Sequence, residues 1–297
     1  MNIKKIKSYM MPVSMIGGAL FYPYLAQLAF ITPYLIFFML LITYTNISLR
    51  AVRFTMLHFW LLVIQLVGSI VAYVAIRGID PIIAQSVMIC ILAPTATSAV
   101  VITGMLGGNT ASLTAFSLLS NLTVAVVAPL MFTIIGEYSE FSFWEELQSI
   151  TQRVFILLLL PFVLAILLGR FLPKIQNKIR TSQSYSFYLW NLALMIVTAR
   201  SIDFLLLEGS THFYTALTIF GLTLFICAIQ FYIGRRLGRH YSDTIAGGQG
   251  LGQKNTILSI WMAQTYLNPI SSIGPGAYIL WQNIINSTQV WHKQRRN

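Results

Sequence analysis

The chain has 297 residues, of which 57% are hydrophobic and only 9% are charged, against roughly 25% charged residues in soluble domains. This balance excludes a soluble globular protein. Apolar runs of about 20 residues recur almost without linkers, and each can cross a hydrocarbon core of roughly 30 Å as a helix. The net charge of +11 sits in short loops rather than in a patch interleaved with exposed aromatics, which excludes nucleic acid as a partner and implies the lipid bilayer.

Lipid cannot satisfy free backbone groups, and the runs are continuous rather than alternating, so helices are expected and a barrel is not. The expected fold is one all-α integral membrane bundle, with no separate soluble domain. Lys4, Lys5 and Lys7 precede span 1, about 10–29, where Pro12 and Pro23 read as kinks of a retained first helix. Spans 2 to 5 follow at 32–49, 56–76, 81–106 and 111–136. An acidic connection at 137–153 carries Phe143, Leu147 and Ile150 at helical spacing and reads as a short interfacial helix. Spans 6 to 10 are expected at 154–172, 186–202, 213–233, 244–266 and 270–291. Cys90 and Cys227 fall inside spans and read as small buried apolar residues. The four histidines lie near span ends, and no metal pair, nucleophile motif or phosphate loop is present, so the reading is not an enzyme.

Ten spans put both termini on one side of the membrane. With that side cytoplasmic, 15 of the 19 basic residues fall inside, leaving only Arg77, Arg153, Arg200 and Lys254. All the acidic residues except Asp243 fall in or beside external segments. This partition supports both the count and the orientation.

Dividing the chain at the acidic connection gives a first repeat, 1–136, and a second, 154–297, each of five spans. An odd number inverts one repeat relative to the other, a common build of secondary transporters. Gln65 in span 3 and Gln230 in span 8 correspond across the halves, as do two interruptions. In span 4 the interruption is Ala93-Pro94-Thr95-Ala96-Thr97-Ser98. In span 9 it is glycine-rich, with Gly247, Gly248, Gly250 and Gly252. Glycine costs about 1 kcal/mol relative to alanine in a helix interior, so the run predicts an unwound turn, with the helix resuming at Asn255 or Thr256.

Paired discontinuous helices expose carbonyls and helix ends at mid-membrane depth, where cations or anions can bind. Thr95, Thr97 and Ser98 lie at the first break, and Asn109 follows it. Ser117, Ser120 and Asn121 share one face of span 5. Such a face either lines a cavity or bonds preceding carbonyls and packs tightly. Lys254 is the sharper signal, because a charge at the bilayer centre costs at least about 2.5 kcal/mol. No carboxylate lies in any expected span core. The lysine therefore meets backbone, amide or hydroxyl oxygens or a substrate anion, or is neutral and carries protons. Alternatively span 9 is shifted and Lys254 snorkels to an interface.

Several features together resemble the bile acid/sodium symporter family: the ten-span plan, Gln65, the Pro94 to Ser98 break with Gly107-Gly108-Asn109, the segment Gln253-Lys254-Asn255-Thr256, and Pro275-Gly276 followed by Trp281-Gln282-Asn283. The resemblance covers nearly the whole chain and suggests a bacterial relative. It implies a panel of spans 1, 2, 6 and 7, a core of spans 3–5 and 8–10, and sodium ions behind the crossing of spans 4 and 9. Gln65, Thr97, Ser98, Ser112, Ser117, Gln249, Gln253 and Lys254 are then the positions for ion binding or its replacement. Thr95, Asn109, Asn121, Asn255 and Thr256 are the positions for substrate. Where the family carries a sodium-binding glutamate before a Gln-Asn pair, this chain has Gly247, Gly248 and Gln249 and inserts Lys254 between Gln253 and Asn255.

The expected function is therefore secondary active transport of a small organic anion by alternating access, with no cofactor beyond Na+ or H+ as coupling ion. Lys254 is expected to replace at least one sodium. The alternatives are a cation/proton antiporter of related architecture and a nontransporting membrane sensor. The expected location is the bacterial inner (plasma) membrane, multi-pass, with both termini cytoplasmic. The sequence sets no oligomeric state.

Overall fold

The computed structural model describes residues 3–47, 53–96, 98–135, 143–181, 183–207 and 213–296. Among these the chain is helical, with no strand. In chain order the helices are α1 (Ile3–Leu20), α2 (Tyr22–Leu25), a 3-10 segment (Ala26–Ile31), α3 (Thr32–Tyr44), α4 (Met56–Ile76), α5 (Pro81–Leu92), α6 (Ser98–Leu106) and α7 (Thr110–Ile135). There follow α8 (Phe143–Leu158), α9 (Leu160–Phe171), α10 (Pro173–Thr181), α11 (Gln183–Leu207), α12 (Phe213–His240), α13 (Thr244–Gly252), α14 (Thr256–Tyr266), a second 3-10 turn (Pro269–Ser272) and α15 (Ile273–Arg296). Among the described residues, five helical stretches are long and apolar enough to cross a membrane: Tyr22–Tyr44, Met56–Ile76, Thr110–Ile135, Phe143–Phe171 and Phe213–His240. The chain is thus a multi-pass helical membrane protein.

The chain divides into two compact units, Met1–Ile47 with Tyr138–Phe213, and Ser48–Glu137 with Tyr214–Asn297. In the first, α11 packs against α1 and α3. The α1–α11 approach is close: a Cβ on Gly18 would lie 2.4 Å from the Met195 carbonyl oxygen. Ser14 Oγ donates to Asn191 Oδ1 across the same pair at 3.1 Å. In the second unit, α4 opens on a capping box in which the Thr55 and His58 side chains each serve the other's backbone. α5 opens on Asp80, which accepts from Ile82 N and Ile83 N, with Pro81 in the first turn, where its missing N–H costs nothing.

Three sequence expectations shift. The first helix ends at Leu20 rather than near residue 29, and Pro23 stands in the first turn of α2 instead of kinking a longer span. The amphipathic segment beginning at Phe143 is not a separate connector, because α8 runs through residue 153 and only a turn at Leu159 separates it from α9. Glu137 and Glu140 lie outside the described residues.

The third shift concerns the glycine run, which is helical to Gly252; the unwound residues are Gln253 to Asn255. The glycines serve close packing rather than unwinding. A Cβ on Gly247 would stand 2.4 Å from Gly234 O, one on Gly234 2.3 Å from Gly247 O, and one on Gly252 2.4 Å from the Phe231 ring. Small residues let helix backbones approach in lipid, and here that approach outweighs poor helix propensity.

Candidate functional site

Two interrupted helices meet in the second unit. α5 ends at Leu92 and α6 begins at Ser98; α13 ends at Gly252 and α14 begins at Thr256. The intervening residues run antiparallel, and Thr95 and Lys254 form an isolated β-bridge. Ala96 N donates to Gln253 O at 2.9 Å, and Asn255 N to Pro94 O at 2.8 Å. Unwound backbone in an apolar interior must find partners elsewhere, and each segment is the other's partner.

The outer edge of each segment is held by the long helix that follows it in the chain. For Thr95 that helix is α7: Thr95 N donates to Ser120 Oγ at 3.3 Å, and Thr95 O accepts from Ser117 Oγ at 3.3 Å and Asn121 Nδ2 at 3.4 Å. For Lys254 it is α15, where the one side chain of Gln282 serves both backbone groups. Its Oε1 accepts from Lys254 N at 2.9 Å and its Nε2 donates to Lys254 O at 3.4 Å.

The C-terminal carbonyls of α5 would be orphans in an isolated helix. Here Cys90 O accepts from Gln230 Nε2 at 3.3 Å, and Ile91 O from Lys254 Nζ at 2.8 Å. Leu92 O and Ala93 O accept from Gln65 Nε2 at 2.7 and 3.0 Å. Ser120 Oγ in turn donates to Gln65 Oε1 at 2.9 Å. At the end of α13, Gly250 O accepts from Thr95 Oγ1 at 2.7 Å and Gly252 O from the Tyr278 hydroxyl at 3.0 Å. Gln230 Nε2 donates to that same hydroxyl at 2.9 Å.

Lys254 is 1% exposed, so it does not snorkel. Its Nζ lies at the C-terminal end of α5, where the helix dipole is negative. No Asp or Glu among the described residues hydrogen-bonds at the crossing; the lysine's partner is a carbonyl.

A row of amides runs from the crossing along one face of α15. Gln253 Nε2 donates to Ser98 Oγ at 3.3 Å, and Gln253 Oε1 accepts from Asn286 Nδ2. Asn286 Oδ1 accepts from Gln249 Nε2 at 2.7 Å, and Gln289 Oε1 accepts from Gln249 Nε2 at 3.3 Å and from the Arg235 guanidinium at 2.9 Å.

The structure therefore brings together Gln65, Thr95, Ser98, Ser117, Asn121, Gln249, Gln253, Lys254 and Asn255. Thr256 is buried just beyond, its N–H on Lys254 O at 3.0 Å. It places two residues elsewhere. Ser112 Oγ pairs with His58 Nε2 at 2.9 Å, and Asn109 Oδ1 accepts from Ser112 N at 3.1 Å, a helix-capping role at the start of α7. Thr97 lies outside the described residues. Sequence reasoning missed the parts played by Gln282, Asn286, Gln289, Arg235 and Tyr278. The first three recur at helical spacing in α15, and that amide periodicity in an expected span is the signal that would have found them.

The SBF-like CPA transporter family matches residues 19–284, most of the chain. No curated protein matches it.

Proposed function

The chain belongs to the SBF-like CPA transporter family, a transporter family of the bile acid/sodium symporter kind, and from that premise we propose that it carries a small organic anion by alternating access, with Lys254 standing in place of at least one sodium ion. The observation that carries this reading is the buried Lys254 Nζ donating to Ile91 O. A cation held by a carbonyl at the negative end of a half-helix is what a coupling ion would otherwise supply. Two unit charges about 4 Å apart repel by roughly 4 kcal/mol at an effective dielectric near 20, so a protonated lysine leaves little room for a sodium beside it. Neutral oxygens remain on the far side of the bridge, at Thr95 O, Ser117 Oγ and Asn121 Oδ1. The last of these is buried and has no partner among the described residues, and the three suit at most one small cation. In this reading the two compact units are the panel and core of the transporter. The inner membrane of a bacterium, with both termini in the cytoplasm, fits the charge partition.

The test is uptake of organic anions into proteoliposomes, with sodium replaced by potassium and with Lys254→Ala beside the parent. Expected is uptake that does not require two sodium ions and that changes its ion dependence in the variant. Strict dependence on two sodium ions, unaltered by Lys254→Ala, overturns the reading. Anion-dependent thermal stabilisation without flux points instead to a sensor.

The CPA designation favours cation/proton antiport as a second reading. Lys254 would then carry the proton, since no described carboxylate bonds at the crossing, and cation flux driven by a pH gradient, lost in Lys254→Ala, would distinguish it.

A further inference from the structure

We propose that the groove between α4 and α12 is a binding site for an anionic glycerophospholipid. The groove holds about 350 Å³ and is lined by Ile64 of α4 and by Tyr232, Ile233, Arg236, Leu237 and His240 of α12. α12 presents two parallel rows at four-residue spacing. Ile233 and Leu237 form the inner row; Tyr232, Arg236 and His240 form the outer one, all three exposed. The inner row and Ile64 pack against a buried cluster that includes Leu61, Ala246 and Leu251. The groove thus has an apolar floor and a cationic, hydroxyl-bearing edge.

Its depth suits a lipid. α12 has 28 residues, about 42 Å at 1.5 Å per residue, and so outruns a hydrocarbon core of roughly 30 Å. Its last turns, with Arg236 and His240, stand at headgroup level, and Tyr232 lies one turn deeper, where interfacial tyrosines gather. No carboxylate lines the groove, and neither Arg236 nor His240 shares a salt bridge with a described residue. A phosphodiester bearing net negative charge fits this edge while an acyl chain fills the floor. A soluble phosphate would use the edge alone, and a zwitterionic lipid would bring no net charge to it. Because the floor packs on Ala246 and Leu251 of α13, occupancy supports one of the crossing half-helices.

The test measures the Tm of the full chain in detergent with added phosphatidylglycerol, phosphatidylcholine or glycerol phosphate, and retention of the two lipids by native mass spectrometry. Expected is tighter binding of phosphatidylglycerol, by about fivefold for the Arg236 contact. The double variant R236Q/H240Q loses that preference while its response to phosphatidylcholine is unchanged, and R236K keeps most of it. Equal retention of the two lipids by the parent overturns the site, whatever the variants' stability. So does an equal Tm shift from glycerol phosphate, or a full preference surviving in R236Q/H240Q.

Discussion

Thr95 and Lys254 face each other in an antiparallel bridge, and each caps a carbonyl in the other's half-helix. Thr95 Oγ1 donates to Gly250 O, and Lys254 Nζ to Ile91 O. Gly250 lies four residues before Lys254, and Ile91 four residues before Thr95. An exchange of the two segments therefore maps one cap onto the other, and maps Ala96 N–Gln253 O onto Asn255 N–Pro94 O. The chemistry of the caps differs: a hydroxyl on one side, a lysine amine on the other. The side-chain chemistry of the crossing is thus one-sided, although its hydrogen-bond frame is two-fold.

Thr95→Val keeps the shape of the side chain and removes the cap on Gly250 O. A buried acceptor left without its donor costs about 1–3 kcal/mol. The expected result is a Tm in detergent several degrees below the parent, with Thr95→Ser close to the parent because it retains the hydroxyl. Equal Tm values for the valine and serine variants would show that the cap carries no stability.

Gln282→Leu takes the partner of Lys254 N and one of the two donors to Lys254 O, which keeps Thr256 N. The expected loss exceeds that of Ser117→Ala, which takes one of two donors to Thr95 O and leaves Asn121 Nδ2 in place, since only Gln282→Leu strands a buried backbone N–H. Thermal unfolding of the two variants side by side checks the order, and a larger loss for Ser117→Ala contradicts it.

The helical character of the chain was legible because it rests on composition and on long apolar runs, and its family because the resemblance rests on the span plan, Gln65 and the two breaks. Met56–Ile76 and the start at Pro81 came directly from hydropathy. The position of the second break was not legible. Propensity puts it in the glycines, but Gly234 of α12 lies against Gly247, a contact far apart in sequence that no local rule reveals. The two-residue capping pattern of Thr95 and Lys254 was hidden for the same reason. Ser112 and Asn109 were read into the crossing because spacing along α7 does not say which helix lies opposite, and here His58 of α4 does.

The packing role of the glycines predicts a contrast within one helix. Gly234→Ala would put a Cβ 2.3 Å from Gly247 O, a backbone atom that cannot rotate away, whereas a Cβ on Gly221 meets nothing within 4 Å. Gly234→Ala is expected to lower the Tm sharply, because α12 and α13 must part. Gly221→Ala is expected to hold or raise it, by up to about 1 kcal/mol of helix propensity. Equal tolerance of both substitutions would mean that the α12–α13 approach is not required.

Removal of the Lys254 amine separates a resident cation from a displaced ion. If Lys254 stands where a sodium ion would otherwise bind, its removal should expose an electronegative site made of Ile91 O and the end of α5. Lys254→Met cannot donate and carries no charge, so sodium should stabilise this variant over potassium at equal ionic strength. A ligand at ten times its Kd stabilises by about 1.4 kcal/mol, a few degrees in Tm. The parent should show a smaller sodium-specific shift, because its ammonium already occupies the carbonyl and repels a second cation at short range. A sodium shift in the parent that is equal to or larger than that of Lys254→Met would place sodium elsewhere and leave the lysine a structural cap on α5.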